Sequence, residues 1–179
     1  MLEKLSNYIA TEIKNADPHG PGTVEVLEYE LSNRINVVAI LLLTILWGWL
    51  LGHLGESLIA MLSFAIARKF SGGVHLKSLT LCAIVSSSLF AVIPTISLNQ
   101  IQFIILNIVT FISFLCYAPR DFDELNAQVN RHKTKIYALL SFLLGLLFLS
   151  PLVTLSFFIQ ALTILPIWNY WKGGEKNES

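Results

Sequence analysis

The chain has 179 residues, enough for one domain; 54% of them are hydrophobic and only 13% charged, with a mean hydropathy of +0.64. Soluble domains carry about 25% charged residues, so the composition excludes an ordinary water-soluble globule and predicts an all-α integral membrane protein. Twelve Lys and Arg balance twelve Asp and Glu, which says little by itself; no basic patch of the kind that binds nucleic acid stands out, and two cysteines, Cys82 and Cys116, make no disulfide framework.

The first thirty-four residues are polar and mixed in charge, without the apolar core of a signal peptide. Leu2, Leu5, Ile9 and Ile13 recur at helical spacing over residues 2–14, which predicts an amphipathic helix on the membrane surface or against the bundle. The turn formers of Asp17-Pro-His-Gly-Pro-Gly22 end it. A second polar helix is expected from about Thr23, carrying Glu25, Glu28 and Glu30. The membrane domain then covers residues 35–168, and 169–179 form a polar tail.

About six spans are expected in that domain: Ile35 to about Leu51, Ser57 to Ala67, Ser78 to Leu98 with a kink at Pro94, Ile101 to Ala118, Ile136 to Leu149, and Leu152 to Trp168. A bilayer needs roughly 20 residues per helix, so the short second span must borrow Leu54 and Phe70 or sit in thinned lipid, and the fifth and sixth, also short, are read as spans with a re-entrant hairpin as the alternative. Trp168, Tyr170 and Trp171 form an aromatic belt at the end of the last span. With the N-terminus inside, the cytoplasmic segments are 1–34, 68–77, 119–135 and 169–179, and every Lys and Arg falls in one of them. That asymmetry is the positive-inside rule; it predicts a multi-pass protein with both termini in the cytoplasm.

The densest polar and glycine-rich segment between two apolar runs is Arg68 to Cys82, within which His75 precedes Cys82 by seven residues. A helix starting at His75 would put the two side chains on one face, about 10 Å apart and out of hydrogen-bond reach. A fold-back at Gly72-Gly73 would instead bring His75 towards the thiol. A cysteine becomes a nucleophile when an imidazole takes its proton, and in the cytoplasm it stays reduced. From the residues alone, the plainer reading is a loop histidine and a small apolar residue of a membrane helix.

The pattern Arg68-Lys69, Gly72-Gly73-Val74-His75-Leu76-Lys77-Ser78 and Cys82, with Tyr117-Ala118-Pro119 downstream, resembles the signature of the accessory gene regulator protein B (AgrB) family over essentially the whole chain. Leu76 is bulkier than the residue usual in that family, and Asp121, Asp123 and Glu124 precede the basic residues after Pro119. The resemblance implies a bacterial cell-membrane cysteine endopeptidase of quorum sensing. It would remove the C-terminal tail of an AgrD-type precursor and close the remainder into a thiolactone or lactone. His75 and Cys82 would be catalytic. Glu25, Glu28, Glu30, Asp121 and Ser78 are the candidates for a third group that orients His75. Arg68, Lys69, Gly72, Gly73, Lys77, Arg131, Lys133 and Lys135 are the candidates for substrate binding, although topology alone explains the basic ones equally well; the Gly72-Gly73 amides would form an oxyanion hole or serve only flexibility. No cofactor or metal is expected: His19, His53 and His132 are scattered, and no His-Glu-x-x-His is present. Cys116 reads as a packing residue. The expected partners are the precursor and membrane lipid, with a homodimer also allowed. The rivals are a non-catalytic peptide transporter, which would need polar residues inside its spans, and a scaffold.

Overall fold

The computed structural model describes residues 2–74, 78–120 and 130–167. Among these residues are seven α-helices: α1 (Leu2–Ala16), α2 (Val24–Leu50), α3 (Leu54–Ser71), α4 (Leu79–Val92), α5 (Gln100–Tyr117), α6 (Arg131–Leu146) and α7 (Pro151–Thr163). The fold is all-α, as composition and periodicity predict.

Several boundaries differ from the sequence expectation, each for a local reason. The polar helix expected near Thr23 and the first apolar run are one 27-residue helix, α2. Thr23 caps its start, accepting from the Val26 N–H, and neither Gly nor Pro interrupts residues 24–47. The second apolar run is longer than the expected 57–67: α3 takes in Leu54 to Ser71, so Arg68 and Lys69 ride its last turn instead of a loop. Cations there oppose the negative end of the helix dipole. Helix α4 starts at Leu79, with Ser78 as N-cap; at its far end Pro94 does not kink it but converts it to a 3₁₀ turn, Ile93–Thr95. Asn99 and Gln102 form a reciprocal capping box at the start of α5, with bonds of 2.8 and 3.0 Å. Asn130 caps α6, so Arg131, Lys133 and Lys135 occupy its first turns and not the preceding loop. The expected aromatic belt at Trp168, Tyr170 and Trp171 lies outside the described residues.

The distribution of side chains inverts that of a soluble protein. Small and hydroxylated residues fill the interior: Ala60, Ala67, Ala83, Ala91, Ser57 and Ser87 are all but inaccessible. Large apolar side chains such as Leu42, Trp49, Ile101, Ile108 and Leu144 point outward. Between membrane helices apolar attraction supplies no net drive, and small residues let backbones approach. Helices α2 and α5 are long and apolar enough to cross a membrane, and only 17% of each apolar window is buried inside the protein. At 13 residues α7 spans about 20 Å, short of a core about 30 Å thick.

Two packing clusters organise the bundle. Phe114 of α5, Phe142 of α6 and Phe157 of α7 meet with ring centroids 5.8–6.1 Å apart, against Ala67 of α3. Phe90 of α4 packs on Ala60 of α3, with Ile93 and Leu155 beside them. Helix α1 does not bury its apolar stripe. It lays Ser6 and Ala10, both fully buried, towards the bundle, and leaves Leu5, Tyr8 and Ile13 exposed. The Ser32 hydroxyl of α2 donates to Ser6 Oγ (2.7 Å), and the Asn7 amide donates to the Glu28 carboxylate (2.7 Å).

Candidate active site

Cys82 sits in the first turn of α4, its N–H bonded to the Ser78 carbonyl at 2.9 Å. The thiol is half-buried. A negative charge in this position lies at the positive end of the helix dipole. Because the helix begins only at Leu79, the arrangement of His75 and Cys82 two turns apart on one helix does not arise. His75 and Lys77 themselves, and Asp121, lie outside the described residues.

The start of α4 is held by a residue 75 positions earlier. Glu3 of α1 accepts from the Ser78 hydroxyl (3.0 Å), the Leu79 N–H (2.7 Å) and the Thr80 hydroxyl (3.4 Å). Its carboxyl is lowered to about 2 by its own backbone N–H first, then by the terminal amine, and further by Ser78 and Leu79, which donate to the charged form. Ser78, expected among the candidates for orienting His75, is therefore committed twice over: its Oγ donates to Glu3 and caps the Leu81 N–H.

The glycine loop is fastened to two other parts of the chain. Gly72 and Gly73 have φ of +68° and +126°, conformations open to glycine and strained for other residues. A Cβ on Gly72 would collide with the Arg120 carbonyl, and one on Gly73 with the Thr163 hydroxyl. The Gly72 N–H donates to the Arg68 carbonyl, the Gly73 N–H to the Arg120 carbonyl and the Val74 N–H to the Thr163 carbonyl. These amides are committed within the fold, so the expected Gly72-Gly73 oxyanion hole is not present; close approach and positive φ account for the glycines. Arg120 completes the junction: its N–H donates to the Ser71 carbonyl and its guanidinium to the Ile164 carbonyl (2.9 and 2.8 Å).

Arg68 turns inward. Its guanidinium donates to the Val74 carbonyl (2.7 Å) and to Gln160 Oε1 (3.5 Å), stands 5.8 Å from the Phe64 ring centre, and lies within electrostatic reach of Cys82. Gln160 of α7 is fully buried, and its amide nitrogen donates to Ser71 Oγ and the Gly72 carbonyl (2.7 and 2.6 Å). One guanidinium thus touches the residue before His75 and lies within electrostatic reach of the thiol. Lys69 instead lies over the Phe70 ring, 5.7 Å away, and Arg131 and Lys133 are exposed, with Lys135 half-buried.

The acidic candidates of α2 are engaged elsewhere. Glu28 holds Asn7, and Glu30 pairs with Arg34 across an exposed helical turn at 3.6 Å. Glu25 occupies the first turn of α2, eleven residues, or roughly 16 Å, before the α2 residue that does reach the sulfur. That residue is Asn36. Its amide nitrogen points at Cys82 Sγ over 3.9 Å, it is only 5% exposed, and its carbonyl oxygen is buried without a partner. Ser86 Oγ lies 4.0 Å from the sulfur on the other side. Cys116, expected to pack inside, is exposed on α5. Among the described residues no group of three or more His, Cys, Asp or Glu could hold a metal.

Sequence reading missed Glu3, Asn36, Arg120 and Gln160. Two of these, Asn36 and Gln160, were visible as amides within apolar runs, as is Asn107; polar side chains there are rare and often functional. Glu3 and Arg120 carried no signal, because their partners are 75–77 and 44–49 positions away.

A model of the family described as accessory gene regulator B matches residues 2–170. Accessory gene regulator protein B of Staphylococcus lugdunensis is 32% identical over 124 residues, covering 63% of this chain and 66% of the relative. Those of Staphylococcus aureus strains Newman and bovine RF122 / ET3-1 are 32% and 29% identical over the same shares. The chain thus aligns with slightly less than two thirds of the length of these curated relatives. No solved structure matches it. With a family match running through the Cys82 helix, its Glu3 clamp and the Gly72–Arg120 junction, the chain belongs to the accessory gene regulator B family.

Proposed function

We propose that this protein is a membrane-embedded cysteine endopeptidase that cuts the C-terminal tail from an AgrD-type precursor and cyclises the rest, with Cys82 as nucleophile and His75 as its base. The observation that carries the reading is Arg68, whose guanidinium binds the Val74 carbonyl, next to His75 in the chain, and lies within electrostatic reach of Cys82. Family membership and the one-sided distribution of Lys and Arg support it. The protein then crosses the membrane about six times, α2 to α7, with α1 on the cytoplasmic face and the site at the cytoplasmic ends of α2, α3 and α4.

His75 takes the Cys82 proton, and the sulfur attacks the scissile carbonyl. The C–N bond breaks, and the same proton passes from His75 to the departing amine. The product is an acyl-enzyme thioester. A thiol or hydroxyl of the retained peptide attacks it, giving a ring and restoring the Cys82 thiol. Exchange of one thioester for another is nearly isoenergetic, so cyclisation wins only if water is kept from the intermediate. A half-buried thiol near the membrane boundary meets that need. Lys69, Lys77, Arg131, Lys133 and Lys135 supply positive charge for an acidic precursor segment.

The transporter reading is weakened by how the interior amides are used. Gln160 is consumed by Ser71, Gly72 and Arg68, and Asn107 by Thr154 and the Phe103 carbonyl. The bonds to Thr154, Ser71 and Gly72 tie α5 to α7 and α7 to the end of α3. The test is co-expression with the precursor, followed by mass spectrometry of the peptide. Wild type should release the tail and yield a trapped acyl-enzyme, and Cys82→Ala should do neither. Undiminished tail removal by Cys82→Ala would make Cys82 a packing residue and favour the transporter or scaffold.

A further inference from the structure

The geometry points to Asn36 as the oxyanion donor of this site, a catalytic residue contributed by α2; the inference rests on the cysteine-peptidase reading above. When the sulfur adds to the scissile carbonyl, the C=O electron pair moves onto oxygen. That charge needs an N–H already in place, roughly 2.7–3.1 Å from where the oxyanion will stand.

The backbone N–H groups of the glycine loop and of Cys82 are already bonded within the fold. The Cys82 N–H is bonded to the Ser78 carbonyl, and those of Gly72, Gly73 and Val74 to Arg68, Arg120 and Thr163. Arg68 spends two of its guanidinium N–H bonds on the Val74 carbonyl and Gln160. The Asn36 amide differs. Its nitrogen faces Sγ at 3.9 Å, a weak contact that attack would not sacrifice. The oxyanion is one carbon removed from the sulfur, within range of a donor so placed. The other end of the amide, Oδ1, is buried and unpartnered. Burying a polar atom without a bond is unfavourable, and Asn36 is 5% exposed. A carboxamide kept in that state beside a nucleophile is poised for a ligand: Nδ2 for the developing oxyanion, Oδ1 for a substrate backbone N–H.

As the tetrahedral intermediate collapses, the oxygen's electron pair re-forms C=O, the C–N bond breaks, and the amine leaves with the proton held by His75. The Asn36 N–H then returns to neutral acceptors. It exchanges no proton, so its effect falls on the acylation rate and not on the reactivity of the thiol.

That distinction gives the experiment. Alkylation of Cys82 by iodoacetamide passes through no tetrahedral oxyanion, whereas precursor cleavage does. In Asn36→Ala we expect single-turnover cleavage to fall about 100- to 1000-fold, while alkylation of Cys82 stays within about threefold of wild type. Asn36→Ser, which keeps a small polar side chain but loses the amide's reach, is read in the same way if Asn36→Ala does not assemble in the membrane. Cleavage within about threefold of wild type, or parallel loss of cleavage and alkylation, overturns the assignment while leaving the cysteine-peptidase reading intact. Undiminished cleavage by Cys82→Ala overturns both.

Discussion

Two buried carboxamides divide the molecule into two kinds of region. Gln160, in the half built from α3, α5, α6 and α7, uses both ends of its amide, on Ser71, Gly72 and Arg68. It stands behind a cluster of three phenylalanines in mutual contact. Asn36, between α2 and α4, keeps one end unpaired and turns the other to a thiol. The first arrangement is what a bundle does to stay rigid in a medium that offers no competing hydrogen bonds. The second leaves bonding capacity for something that arrives. The stiff half is also what pins the glycine loop, through Thr163, Ile164 and Arg120, so the site is supported by one half and lined by the other.

Substitutions should separate the two halves by their effect on stability in detergent. The largest loss is expected for Phe157→Ala, about 3–5 kcal/mol, because the ring fills the three-phenylalanine cluster. Gln160→Ala should cost about 2–4 kcal/mol, since Ser71 Oγ and the Gly72 carbonyl lose their donor where water cannot replace it. Asn36→Ala should change stability by less than about 1 kcal/mol, because it removes an acceptor that was never satisfied. Equal costs for the two amides, measured by thermal or chemical unfolding, would erase the contrast.

The smallest effect concerns Glu3. Its carboxyl is depressed from 4.5 to about 2 in the folded protein. A depressed carboxyl stabilises the fold above its unfolded value and loses that contribution as protons bind the native state. The clamp of α1 on α4 should therefore be at full strength above pH 4.5 and weaken progressively towards pH 2. Melting temperature followed over that range should fall in wild type and stay flatter in Glu3→Gln; identical slopes would remove Glu3 as the anchor.

Much of this architecture was legible in the chain. Apolar runs, the turn at Asp17–Gly22 and the all-α class follow from local rules, because each helix satisfies its own backbone. The His75–Cys82 segment stood out as the polar, glycine-rich interruption between two such runs. Boundaries were harder: whether Arg68, Lys69 and Arg131 are loop or helix depends on capping and on what the following turn packs against. Tertiary structure alone decided what surrounds Cys82. A carboxylate at position 3, an amide at 36 and another at 160 reach the Cys82 helix or the glycine loop only because α1, α2 and α7 are packed there. Hydrogen-bond partners separated by 46 to 89 positions leave no periodicity to read. Local order is encoded by spacing along the chain, whereas a site assembled from four helices is encoded by which faces meet.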